Sequence, residues 1–272
     1  MIVISKSQKV LKKNNVMITG NLKSEKTMIF VHGFGTDQTA WSKVAQAFSN
    51  DYRIVLLDNV GAGKSDMQAF VQSRYQKLDK YADDVLDICD ALNIKNAILI
   101  GHSVGGMISI LSGVRSPECF SKIIVIGTSP CYLNSDNYFG GLTNADVRDI
   151  YYSIQQNHRE WSFNFARMAM KNPDQPELVN NFAKTLMDIP VERILTVLHS
   201  IFQIDYREEI SKLNVRSLII QAQEDSFVPM QVAEFLHEKI KDSKLELIHA
   251  AGHLPHITSP QIVIPAISKF IN

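Results

Sequence analysis

The sequence predicts an α/β protein built on a mostly parallel, doubly wound sheet, with a block of helices interrupting it. Three observations carry that expectation. Short β-prone apolar runs recur along the chain with helical stretches between them, as strands buried on both faces and crossed over by helices require. Between residues 134 and 205 the alternation stops and only helical spacing remains. One strand runs straight into a helix through Gly101-His102-Ser103-Val104-Gly105, a G-x-S-x-G turn that sets a serine hydroxyl at the carboxyl end of the sheet.

Composition excludes several alternatives. The 272 residues are 45% hydrophobic and 21% charged, ordinary for a globular chain able to bury a sizeable core. Lys plus Arg and Asp plus Glu number 28 each, so no net field draws in nucleic acid or an anionic membrane. Cys89, Cys119 and Cys131 have neither a paired framework nor metal-type spacing, and the opening residues Met1 to Ser5 lack a signal-peptide core. Together these point to a cytoplasmic protein, with no metal and no cofactor.

The opening 31 residues hold β-type runs, among them 16–19 and 28–31, separated by turn-prone Asn14-Asn15 and Gly20-Asn21. The basic cluster Lys9 to Lys13 is read as solvated strand and loop. The run 28–31 ends in His32-Gly33-Phe34-Gly35, where glycines let the loop fold tightly under the sheet's carboxyl end. Beside a serine turn of this kind, such a loop supplies one oxyanion-binding N–H and the residue after the serine supplies the other, which makes Phe34 and Val104 the candidate donors.

The next buried strand, 53–57, leads into Asp58-Asn59 and Gly61-Ala62-Gly63-Lys64-Ser65. A phosphate loop would need glycine at position 58, which is Asp58, so the segment is read as structural. Leu78, Tyr81, Val85, Ile88 and Leu92 form an amphipathic stripe, with Asp83, Asp84, Asp87 and Asp90 off it. The strand 97–100 and the serine turn come next; a membrane span over 97–113 is excluded by its histidine, serines and glycines. Small residues at 101 and 105 are needed because strand and helix pass closely there. The helix from Val104 also aims its free amide groups at the site.

After the strand 123–126 come four helical segments, 145–156, 160–170, 177–187 and 191–202, punctuated by a capping box at Thr143 to Asp146 and by Pro173, Pro176 and Pro190. Their aromatics, Trp161 and Phe165 at i, i+4, and Leu198 and Phe202 at helical spacing, pack the insertion on itself or face down as a pocket wall. The strand 217–220 resumes the sheet and leads into Glu224 and Asp225, with Phe227 beyond as a further pocket candidate. The last strand, 245–248, leads to Gly252-His253-Leu254-Pro255-His256. A terminal helix starts near Ser259-Pro260, where Pro265 should kink or delay it.

Ser103, Asp225 and His253 thus stand in the chain order Ser, Asp, His, each directly after a predicted strand. Serine needs a neutral imidazole to take its proton, and that imidazole needs a carboxylate to fix its tautomer. Among eight histidines His256 competes for the base position. His253 is preferred because Gly252 frees the backbone to aim its ring. His32 and His102 flank the site and shape it. Glu224 competes less seriously with Asp225.

These residues carry a resemblance to the α/β-hydrolases, and within them to the RsbQ-like branch, which holds a bacterial stress-signalling hydrolase and is similar to the plant karrikin and strigolactone receptors. The matching stretches run from His32 to Trp41, Leu57 to Gly63, Arg74 to Leu78, Gly101 to Val104, Ser129 to Asn134, Gly140-Gly141, Ile201 to Gln203 and Gly252 to His256. The resemblance implies an α/β-hydrolase fold with a core over 1–133 and 206–272 and a four-helix lid over 134–205, inserted after the sixth strand. It places the triad on Ser103, Asp225 and His253, the oxyanion donors on Phe34 and Val104, and pocket positions on Tyr132, Trp161, Phe165 and Phe202. Leu142 stands where the plant receptors carry an aromatic, so pocket size and ligand choice do not transfer. The resemblance further implies a hydrolase of a small apolar ester or lactone that also senses its ligand and meets a phosphatase-type stress regulator through the lid. The alternative is a metabolic carboxylesterase with no signalling partner.

Overall fold

The computed structural model describes residues 5–272. Seven strands, β1 (Met17–Gly20), β2 (Thr27–Val31), β3 (Arg53–Leu57), β4 (Ala97–His102), β5 (Phe120–Ile126), β6 (Ser217–Glu224) and β7 (Ser243–Ala251), form one sheet in the order β1-β3-β2-β4-β5-β6-β7. Only β1 runs antiparallel, against β3. Strands β2 and β4 are buried at every position, which is why their sequences read as unbroken apolar runs rather than alternating ones. The order turns back at β2, which lies between β3 and β4. Ligands in such sheets bind outside the carboxyl ends at that reversal, where the loops after β2 and β4 diverge.

The helices are α1 (Lys6–Lys13), α2 (Ser42–Phe48), α3 (Asp79–Ala91), α4 (Val104–Arg115), α5 (Asn144–Gln156), α6 (His158–Met170), α7 (Pro176–Met187), α8 (Val191–Phe202), α9 (Met230–Lys239), α10 (Pro255–Thr258) and α11 (Pro260–Ile271). Two hydrophobic clusters cover the two faces of the sheet. One holds α3, α4 and α9 with the inward side of α5 to α8; the other holds α2 and α11. Helix α4 is buried along most of its length, so it is apolar all round rather than striped.

Several details differ from the sequence reading. The basic cluster is not strand and loop but the second half of α1, started by a Ser5 capping box. Asp84 is not on the solvent side of α3: it is 1% exposed and binds Lys13 and Lys80, each at 2.7 Å, and the Tyr75 hydroxyl at 2.8 Å. Both differences arise from one packing event, because α1 lies on α3 and its last lysine covers that carboxylate. The four helices α5 to α8 come after the fifth strand among the described residues, where a sixth was expected. Pro265 does not delay α11, which begins at Pro260; the carbonyl its missing N–H leaves over belongs to exposed Gln261. Residues 1–4 of the stretch read for a signal peptide lie outside the described residues.

Candidate active site

Ser103 sits between β4 and α4 with φ 53° and ψ −124°, a conformation seldom adopted by a residue with a side chain. The turn is held by Ser103 N–H donating to Ile126 O at 2.8 Å and by Gly106 N–H donating to Ser103 O at 2.9 Å. A side chain at Gly101 would collide with Gly105 O and Ser109 Oγ, and one at Gly105 with Val31 O and His32 O. The two glycines of the motif therefore let α4 pass against β4 and β2. As the first residue of α4, Val104 has an N–H with no acceptor inside the helix, while its side chain belongs to the core. Phe34 comes after β2 in the neighbouring loop, braced by Thr36 Oγ1 donating to Gly33 O at 3.0 Å.

Three loops then converge. His253 Nε2 lies 2.8 Å from Ser103 Oγ, and His253 Nδ1 lies 3.0 Å from both oxygens of Asp225. The backbone amides of Phe227 and Val228 donate to Asp225 Oδ1 at 2.8 and 3.0 Å, which fixes the carboxylate before any substrate arrives. With Nδ1–H directed at Asp225, Nε2 carries the lone pair and accepts the serine hydroxyl. Gly252, at φ 84°, lets the chain pass tightly under α6, so that His253 N–H donates to Ala169 O at 2.7 Å. A side chain at 252 would collide with the carbonyls of Ala169 and Met170.

Above Ser103 lies a cavity of about 510 Å³ between the sheet and α5 to α8. Phe165 on α6 is its hub: its ring is 6.0 Å from that of Phe34, 5.1 Å from Trp161, 6.2 Å from Phe182 and 4.8 Å from Phe227. One helical side chain thus packs on the loop after β2 and the loop after β6 together. The rim carries Asp149, Ser153 and Asn164, all exposed. Burial pushes the Tyr132 phenol in the wall up to about 12, so it remains a protonated donor.

The α/β-hydrolase fold family matches residues 26–260. The chain belongs to that family. Among curated relatives of this hydrolase, the karrikin insensitive 2 receptor CA of Petunia hybrida is 34% identical, over 95% of this chain and 96% of its own length. The strigolactone esterase D14 of Arabidopsis thaliana is 36% identical, over 92% and 93%. Among solved structures, the hydrolase olei00960 of Oleispira antarctica superposes with a TM-score of 0.93 at 30% identity, covering 100% of this chain and 99% of that one.

Within the hydrolase, Ser103, Asp225 and His253 meet as described, and Phe34, His102, Tyr132, Leu142, Trp161, Phe165, Leu198, Phe202 and Phe227 all line the cavity. His32 does not. Its ring is buried, with Nδ1–H donating to Gly33 O at 2.8 Å and Nε2 accepting from Asn59 N–H at 2.9 Å, so it braces the loop from beneath. His256 is also away from the serine: it is fully buried between Trp41 and His102, with ring centroids 4.5 and 4.3 Å away. Glu224 faces outward and pairs with Lys171 at 2.8 Å. The sequence reading missed Phe182, Ile150 and Met168 in the wall. The apolar spacing of α7 held a signal for Phe182, but periodicity alone cannot say which neighbour an apolar face meets.

His32, His102 and His256 are each wholly buried, and burial lowers all three below the ordinary imidazole value, His256 to about 3. The folded protein keeps these rings neutral, whereas the unfolded chain takes up a proton at each as the pH falls through about 6.5. Stability should therefore fall on acidification, by up to about 1.4 kcal/mol per pH unit for each ring, until the folded-state pKa is reached. Urea midpoints at pH 7 and pH 5 check this, and equal midpoints would contradict it.

Proposed function

We propose that this α/β-hydrolase cleaves small, compact, apolar esters or lactones, with Ser103 as nucleophile, His253 as base and acid, and Asp225 orienting the imidazole. The observation that carries this reading is the unbroken hydrogen-bonded line from Asp225 through His253 to Ser103 at the floor of an aromatic chamber. Ser103 Oγ attacks the carbonyl carbon while its proton passes to His253 Nε2, and the amides of Phe34 and Val104 take the charge that develops on the carbonyl oxygen. His253 then protonates the departing alkoxide, leaving an acyl-serine and an alcohol, which in a lactone stays tethered. Water, deprotonated by His253, releases the acid and restores the serine. A lactone is a cyclic ester, so the same steps serve both.

The four helices act as a lid over residues 134–205, closing the core of 1–133 and 206–272. Because the chamber is compact and its rim polar, an acetyl ester should be hydrolysed with kcat/KM at least about tenfold above that of the matching palmitoyl ester, since a long chain must leave through the rim. Comparable rates would contradict the closed-chamber reading.

The likeness to a receptor and an esterase supports a finer reading, in which this chain is a ligand-sensing signalling protein of the RsbQ-like kind with a phosphatase-type stress regulator as partner. Three free cysteines suit the cytoplasm this requires. Hydrolysis, on this reading, shifts the lid between two states through Phe165, which packs on the loop that carries Phe34 and on the loop that carries Asp225. Ser103→Ala should then bind ligand yet fail to restore signalling in cells lacking the wild type. Full restoration would leave binding alone as the signal.

A further inference from the structure

His102 closes β4 one residue before the serine, and although it borders the cavity it is buried, its ring held at both edges and both faces. Its Nε2–H donates to the main-chain carbonyl of His253 at 2.7 Å, across 151 residues of sequence. Two strands, β5 and β6, lie between β4 and the strand that leads to His253, so this is no ordinary sheet contact. The opposite edge of the ring meets the loop after β2: a methyl group on Gly33 would stand 2.5 Å from His102 Nδ1. Among the described residues that Nδ1 has no hydrogen-bonding partner, which leaves the neutral Nε2–H tautomer as the one that serves the carbonyl. The faces are closed by the rings of His253 at 4.8 Å and His256 at 4.3 Å, with Trp41 stacked behind His256.

We propose that His102 is a positioning residue: it is the strut that sets the separation between the oxyanion loop and the base. The inference rests on the reading that Ser103 and His253 carry the reaction. The His253 ring is oriented by Asp225, but its backbone is held by two hydrogen bonds, from its N–H to Ala169 O and from His102 to its carbonyl. Removing the second leaves a buried carbonyl without a donor and lets the loop relax toward α6. On the other side, a shorter side chain at 102 lets Gly33 and Phe34 settle inward. The first movement displaces the base and the second the Phe34 amide, so both act on geometry in the transition state, while the walls formed by Tyr132, Trp161 and Phe202 stay in place. Burial lowers the His102 imidazole well below its ordinary value and keeps the strut neutral.

The deciding comparison is His102→Gln against His102→Asn, assayed with a short p-nitrophenyl ester alongside wild type and His253→Ala. Glutamine carries an N–H donor at the reach of Nε2, whereas asparagine stops short by one methylene. His102→Gln should keep kcat within about fivefold of wild type, while His102→Asn should lose about 10²-fold in kcat with KM unchanged, the expected penalty for a reacting group displaced by about 1 Å. Gly33→Ala, which presses the same ring from the other edge, should also lower kcat, and it covers the case in which the asparagine variant does not fold. Equal kcat losses in the glutamine and asparagine variants, a loss that falls on KM, or wild-type turnover in Gly33→Ala each overturn the proposal. If His253→Ala retains wild-type turnover, the base assignment falls and the proposal with it. A dead His253→Ala beside equal glutamine and asparagine variants removes the strut alone.

Discussion

Ser103→Ala should lower the turnover of a short activated ester by about 10⁶, because nucleophile, base and orienting acid act as a unit and the loss of one forfeits the advantage of all three. The fold should survive. Alanine removes only Oγ, and the backbone bonds that hold the elbow, from Ser103 N–H to Ile126 O and from Gly106 N–H to Ser103 O, do not involve the side chain. Relief of the hydrogen bond to His253 frees Nε2 without unburying it. Steady-state kinetics beside a melting curve measure both halves, and turnover within tenfold of wild type would remove Ser103 from the mechanism.

His253→Ala should be nearly as damaging, whereas His256→Ala should keep most of its activity and lose stability instead. The structure separates these two residues, only three apart in sequence, completely. His253 Nε2 is 2.8 Å from the serine oxygen; His256 is sealed between Trp41 and His102, with both ring nitrogens unpartnered among the described residues. Truncating His256 opens a void in close-packed surroundings, for which a loss of about 1–3 kcal/mol is expected. It also removes one of three neutral buried imidazoles, so the acid dependence of stability should shrink by one proton. Urea titrations at two pH values together with ester hydrolysis measure this. An inactive His256→Ala with an active His253→Ala would reverse the base assignment.

The contrast between those two histidines shows where sequence reasoning reaches and where it stops. The serine turn is a local feature: its glycines, its strand and its helix all lie within a few residues, so steric necessity is readable from the pattern. Asp225 and His253 are legible one step less directly, from their places after buried strands. That His256 is excluded depends on Trp41, more than two hundred residues away, and on β4 through His102. No periodicity encodes that meeting. The same holds for α1. Its sequence, Lys6 to Lys13, has only Val10 and Leu11 as apolar anchors, and the partner that makes sense of Lys13 is Asp84 on α3. Read locally, a lysine-rich run and an aspartate off an apolar stripe both belong to solvent. Packed together, they bury one carboxylate with two ammonium groups and a phenol. The cavity wall divides in the same way: the spacing of Trp161 and Phe165 marks them as neighbours on a helix, but the convergence of Phe34, Phe165 and Phe227 is a property of loops and a helix brought together by the sheet.

The central claim is that His253 activates Ser103, and a serine-directed fluorophosphonate tests it most directly, since its phosphorus accepts attack from an activated hydroxyl and needs no leaving-group chemistry from the pocket. Mass-spectrometric mapping after a time course should place a single adduct on Ser103 in the wild-type protein. The same adduct should form at least about 10³-fold more slowly in a folded His253→Ala variant, because serine is a weak nucleophile without its base. An adduct on another residue, or equal labelling rates with and without His253, would contradict the account.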